Sequence, residues 1–146
     1  ILTAAIYEQV MDIEDPQFID PPQEVNHQFW GELTPVVEKE YDKKLARIKE
    51  VTTFLSIPEN WKQLRALLKP DLISAAKLKE CLKVAGGAHR YFDISFDGKP
   101  LDRDTFTLVA QHANQMRERF TILDLATVLD VIPSSINPLI DQYLID

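Results

Sequence analysis

Between Val37 and Leu55 apolar side chains return every three or four residues, at Val37, Tyr41, Leu45, Ile48, Val51 and Leu55. That spacing draws one stripe along a helix of about five or six turns, and it excludes a strand, whose faces alternate every second residue. Thr34-Pro35 marks the start, since Thr can cap and the missing proline N–H costs nothing at the first helical position. Glu38, Lys39, Glu40, Lys43, Lys44 and Lys49 fall largely off the stripe. With Asp42, Arg47 and Glu50 they read as a solvated face of opposite charges three and four residues apart. A helix this long with one apolar face must be covered, and the segments after it are helical too.

Ser56 to Glu59 has capping-box spacing, and Pro58 opens a short helix with Trp61, Leu64, Leu67 and Leu68 inward, closed by Pro70. The next helix is expected from about Leu72, with Ile73, Ala76, Leu78, Cys81, Leu82 and Ala85 inward and Gly86-Gly87 as its stop. Trp61, Leu64 and Leu82 should then be buried together. Residues 88–98 support two readings. Phe92, Ile94 and Phe96 alternate with polar residues like a strand entering an Asp97-Gly98 turn, whereas Ala88, Tyr91, Phe92 and Ser95 suit one helical face. A short helix is preferred, because Lys99-Pro100-Leu101 makes a poor second strand. Asp102 or Asp104 caps a helix through Phe106, Val109, Ala110, Ala113 and Met116. Ile122–Leu129 and a helix from Ser134 or Ser135 to Tyr143, parted by Pro133, complete the chain. The expected fold is all-α, an array of stacked helical hairpins resembling a right-handed superhelix.

With 45% hydrophobic and 27% charged residues, the 146-residue chain has a globular balance. Its single cysteine excludes an intramolecular disulfide or a Cys-rich zinc site. Ile1 to Val10 lacks the charged start and long apolar centre of a secretory signal, so a processed chain or a fragment is expected. Leu2, Ile6 and Val10 could stripe a short first helix, but Pro16, Pro21 and Pro22 interrupt any regular structure beyond it. Residues 1–33 are therefore read as an extended N-terminal arm and 34–146 as the helical domain. Phe18, Ile19, Phe29 and Trp30 are the arm's candidate protein-binding residues; the alternative is a loop packed on its own domain. On the arm reading, deleting residues 1–28 leaves the helices folded.

Lys69-Pro70-Asp71-Leu72 returns loosely as Lys99-Pro100-Leu101-Asp102, each copy opening a helix, in the rhythm of pentatricopeptide-type hairpins. The same region carries a family resemblance. Trp61 stands shortly before Leu64-Arg65, with Asp71-Leu72-Ile73, Lys77-Leu78, and the small residues Ala75, Ala76, Cys81 and Ala85 after it. Then come Ala88, Arg90, Tyr91, Phe92 and Asp93, and the helix of Phe106 and Val109. In this order residues 54–125 resemble accessory subunit Va of mitochondrial cytochrome c oxidase, although Ser74-Ala75-Ala76 stand where that family typically has proline. The resemblance implies a peripheral, metal-free subunit on the matrix side of the inner membrane.

The histidines, carboxylates and cysteine are the residues on which chemistry could rest. His27, His89 and His112 are far apart and none pairs with a second ligand at short range. Asp12/Glu14 and Asp102/Asp104 lie beside turns, where capping explains them, and Cys81 lies on the expected inward face. No catalytic, metal or cofactor site is assigned. Ser134-Ser135-Ile136-Asn137 could open a recognition helix, but no Lys or Arg occurs from there through Asp146. The net charge of −7 further disfavours nucleic acid. The expected function is a non-catalytic accessory subunit of a multi-protein assembly, binding other subunits with no cofactor, small-molecule substrate or membrane span. The alternative is a pentatricopeptide-like organellar RNA-binding module.

Overall fold

The computed structural model describes residues 1–146. Its helices are α1 (Leu2–Asp12), α2 (His27–Trp30), α3 (Thr34–Leu55), α4 (Pro58–Leu68), α5 (Ala75–Val84), α6 (Arg103–His112), α7 (Ile122–Val128) and α8 (Ile136–Tyr143). The chain is all-α apart from a two-stranded hairpin, β1 (Ser95–Phe96) and β2 (Lys99–Pro100). No helix is long and apolar enough to cross a membrane.

The main correction concerns the first segment. Residues 1–33 are not an appendage, because α1 lies in the principal core, with Ala5, Ile6, Val10 and Met11 all buried. It packs on α7, α5 and α8, so the last helices close back over the first. In a stacked array each hairpin contacts its sequence neighbours; the packing here is of another order. The end of α1 is also clasped by polar bonds. Arg65 Nε donates to the Met11 carbonyl at 2.7 Å and Trp61 Nε1 to that of Ile13 at 2.9 Å. Glu8 Oε2 accepts from the Ala75 amide at 3.2 Å, at the entry of α5. The proline-bearing stretch crosses the surface in extended form, tied down by the Ile19 amide on the Val128 carbonyl at 2.8 Å.

Several local expectations change with the packing. The buried register of α3 is Val37, Tyr41, Lys44, Ile48 and Leu55, so Lys44 takes the inward place assigned to Leu45, which is half-buried. Thr34 does not cap α3, and Ser56 bonds back to the Thr52 carbonyl instead of capping α4, whose first residue is Pro58. Ser74 caps α5 through the Lys77 amide, setting its start later than Leu72. Of its residues only Ala75 is buried. Ile73, Ala76, Cys81, Leu82 and Ala85, expected inward, are exposed. Trp61 is buried and Leu64 half-buried, but Leu82 does not join them.

Residues 88–98 resolve in favour of the strand. After a single 3-10 turn at Tyr91–Asp93, Asp97 and Gly98 take positive φ of 52° and 73°, the left-handed pair that suits a tight hairpin. Pro100 is tolerated because this is an edge, and the Leu101 amide carries the next rung to the Ile94 carbonyl at 2.8 Å. The helices expected at Asp102, Ile122 and near Ser135 are present, with Asp102 capping α6 through the Thr105 amide at 2.9 Å.

Two substitutions separate these arrangements. Ile6→Ala should cost about 2–5 kcal/mol in urea unfolding, as for other emptied core positions. Leu82→Ala should stay within about 0.5 kcal/mol. Equal losses at both sites would return Leu82 to the core.

Candidate functional site

Two apolar clusters meet along α3. The larger gathers α1, α7 and α8 around Ile48, Leu55 and Trp61; the smaller holds Val25, Trp30, Val37 and Tyr41. Between them stands a polar group that the sequence pattern does not announce. Lys44 is 1% exposed and Asp124 is fully buried. The Lys44 ammonium lies 3.1 Å from Asp124 Oδ1 and also donates to the Asn114 carbonyl. Asn114 Nδ2 donates to Asp124 Oδ1 at 3.1 Å. Asp124 Oδ2 accepts from the Thr121 amide at 2.7 Å and its hydroxyl at 3.0 Å, closing the N-terminal turn of α7. A buried charge is tolerable only with such pairing, since its desolvation otherwise goes uncompensated.

Lys44, Asn114 and Thr121 of this group line a half-open cleft of about 980 Å³ between α3 and residues 113–123. α3 contributes Glu40, Lys43, Lys44 and Arg47; the turn before α7 contributes Arg117, Glu118 and Arg119. Spacing explains the α3 side, since residues three and four apart share a helix face. Lys43 is held by Glu40 at 2.9 Å and approaches Glu118 at 3.5 Å. The hydrogen bond to Lys43 lowers the Glu40 pKa, and the reciprocal bond raises that of Lys43. Arg47, Arg117 and Arg119 have no carboxylate within 4 Å. By sequence alone the α3 cations read as a solvated face and Arg117-Glu118-Arg119 as a polar run. The fold brings the two together across seventy residues of chain. Within either run nothing announces the other.

The sequence-derived protein-binding residues divide. Phe18 is half-buried edge-on to Trp61, with ring centroids 6.2 Å apart. Trp30 is buried and donates from Nε1 to Gln115 Oε1 at 2.7 Å. Phe29 packs on Trp30 and on His112, both at 4.9 Å. Ile19 alone is exposed, at 50%. Cys81 is exposed. The side chains of His27, Glu38, His89 and Asp93 form two separate local pairs and do not converge with the cleft. Compared with known proteins, the chain matches no family model, no curated protein and no solved structure. The resemblance to the oxidase subunit therefore rests on the quoted residues alone.

His112 joins α6 to α2 in a protonation-dependent way. Asn26 Oδ1 accepts the Phe29 amide at 2.9 Å, which leaves its amide nitrogen to face His112 Nε2 at 3.1 Å. Nε2 must then be the acceptor, so the ring is neutral with its proton on Nδ1. Burial pushes the His112 pKa below its ordinary 6.5 in the same sense. The Tyr41 phenol, buried and near Asp124, is pushed up to about 12 and stays a donor to the Pro22 carbonyl at 2.8 Å.

Lys44→Met strands the Asp124 carboxylate and should cost about 3–5 kcal/mol in urea unfolding. Adding Asp124→Asn, which removes that charge and keeps an acceptor for Thr121, should recover part of the loss. A double variant weaker than the single one would contradict the pairing. For His112 the unfolded state binds more protons below 6.5, so stability falls as pH drops through that value. Wild type should lose more stability than His112→Phe between about pH 7.5 and about pH 5.5. Equal losses would uncouple this histidine from folding.

Proposed function

We propose that the chain is a non-catalytic interaction subunit that works by holding a partner protein on its α5 side. The observation that carries this reading is the unpartnered apolar surface of α5. The helix has the amphipathic pattern of an element with a buried face, yet the fold buries only Ala75, in its first turn, and leaves Leu78 half-buried. Leu82 is 38% and Val84 79% exposed, and Ile73 precedes them, also exposed. Apolar area in water costs roughly 25 cal/mol per Å², so exposed side chains of this size favour a covering surface. A covering partner recovers that free energy. In the oxidase-like form of this proposal, the assembly is the respiratory chain and the subunit lies peripherally on the matrix side. Only the residue run from Trp61 to Val109 supports that more specific version.

The RNA-module alternative draws on the cationic cleft. Single-stranded RNA grooves combine cations with aromatic platforms on which bases stack. The cleft is lined by no aromatic residue, so the protein-binding reading is preferred.

Leu82→Glu with Val84→Glu should leave the unfolding midpoint nearly unchanged, because neither side chain is in the core. Proteins cross-linked to the wild-type chain in extracts of its source and identified by mass spectrometry should be depleted with the variant. An identical cross-linked set for both chains would reject α5 as the docking side.

A further inference from the structure

We propose that the cleft between α3 and residues 113–123 is a binding site for a small, multiply charged phosphate anion, such as a diphosphate group. The argument begins with which charges are already engaged. Lys44 is neutralised by Asp124 at 3.1 Å, and Lys43 is shared between Glu40 and Glu118, which together carry one negative charge more than it offsets. That leaves Arg47 on one wall and Arg117 and Arg119 on the other, none paired with a carboxylate. In a chain of net charge −7, cations left unpaired in one concavity form a local field opposite to that of the molecule.

Guanidinium chemistry narrows the ligand. Arginine offers a planar fork of donors that matches the oxygens of phosphate and carboxylate, and it stays charged throughout the working pH range. One carboxylate presents two oxygens in one plane and can satisfy a fork from one side. Forks from two opposing walls call for oxygens pointing several ways, which tetrahedral phosphorus supplies and a diphosphate doubles. The volume, about 980 Å³, is at the upper end of small-ligand sites, so there is room beyond the anion. Met116 and Leu123 line that remainder and suit the organic portion of a phosphorylated metabolite.

The cleft is also built on fixed groups. Lys44 and Asp124 lock α3 to the start of α7, and Asn114 ties the intervening turn to the same carboxylate. The arginine-bearing segment is thus anchored at both ends, which lowers the ordering cost of binding.

The test is calorimetric titration of the full chain with sodium pyrophosphate at low ionic strength, where exposed charges are least screened. The expected result is saturable binding at one site per chain. Arg117→Gln with Arg119→Gln should weaken it at least about tenfold, or about 1.4 kcal/mol. Arg47→Gln alone should weaken it too, and decides the matter should the double variant fail to fold. Lys83→Gln, on α5, should leave it unchanged. Absence of saturation, or equal affinity in the arginine variants, would overturn the site. Malonate binding as tightly as pyrophosphate would overturn the phosphate assignment. So would oligouridylate binding that tightens with length while pyrophosphate fails to compete, since the occupant would then be a nucleic acid.

Discussion

The Lys44–Asp124 pair sits where three requirements coincide, and the remaining packing is arranged around it. It links the middle of the longest helix to the capped start of α7, and through Asn114 it fixes the turn between α6 and α7. α7 in turn is a principal neighbour of α1, whose apolar face fills the main core. An apolar contact in the same place would hold the two helices together without specifying their register. A buried pair with defined donors tolerates far fewer arrangements, so displacement of either element leaves a charge unmatched in a dry interior. Stability from the pair is modest by comparison, because desolvation offsets much of the attraction.

How much of this is legible in the sequence depends on the range of the interactions. The long helix, the proline that opens α4, the Asp102 cap and the two final helices depend on residues within one turn of each other, and all are legible. The hairpin is legible in part, since Asp97-Gly98 reads as a turn. The poor second strand argues against it, but the Leu101 amide supplies the rung that Pro100 cannot. α1 is visible as a stripe of Leu2, Ile6 and Val10, but its central place is not, because the prolines after it suggest detachment. Detachment is decided by what covers the stripe, and the cover comes from α5, α7 and α8, all distant along the chain.

Lys44 shows the same limit in sharper form. Stepping from Tyr41, both position 44 and position 45 continue a helical stripe, and the apolar choice is Leu45. The fold takes position 44 because Asp124 waits opposite, and Asp124 itself is concealed by a complete local explanation as the cap partner of Thr121. Long-range charge pairing leaves no periodic mark. The converse holds in α5, where a clean amphipathic pattern suggests a buried face that the fold does not bury. Periodicity reports that a face is apolar, whereas burial requires an element to lie against it.

That distinction separates the two surfaces proposed for binding. On α5 the apolar residues Leu82 and Val84 lie exposed on a helix whose only buried side chain is at its first turn, so covering them is favoured by solvent and makes few geometric demands. In the cleft, the arginines face a space held open by a rigid polar framework, and their donors are directional. The first surface suits a protein partner whose shape can adapt; the second suits a compact ligand whose oxygens match the arginine forks. Because α5 packs on α1 and α8 while the cleft lies between α3 and the start of α7, the two share no lining residue. They are connected through α1, the element against which both α5 and α7 pack. An influence of an anion in the cleft on the α5 face therefore has two packed routes, through α7 and α1, or through the 113–116 turn, α6 and α8, and a purely local effect would leave the contacts along both unchanged.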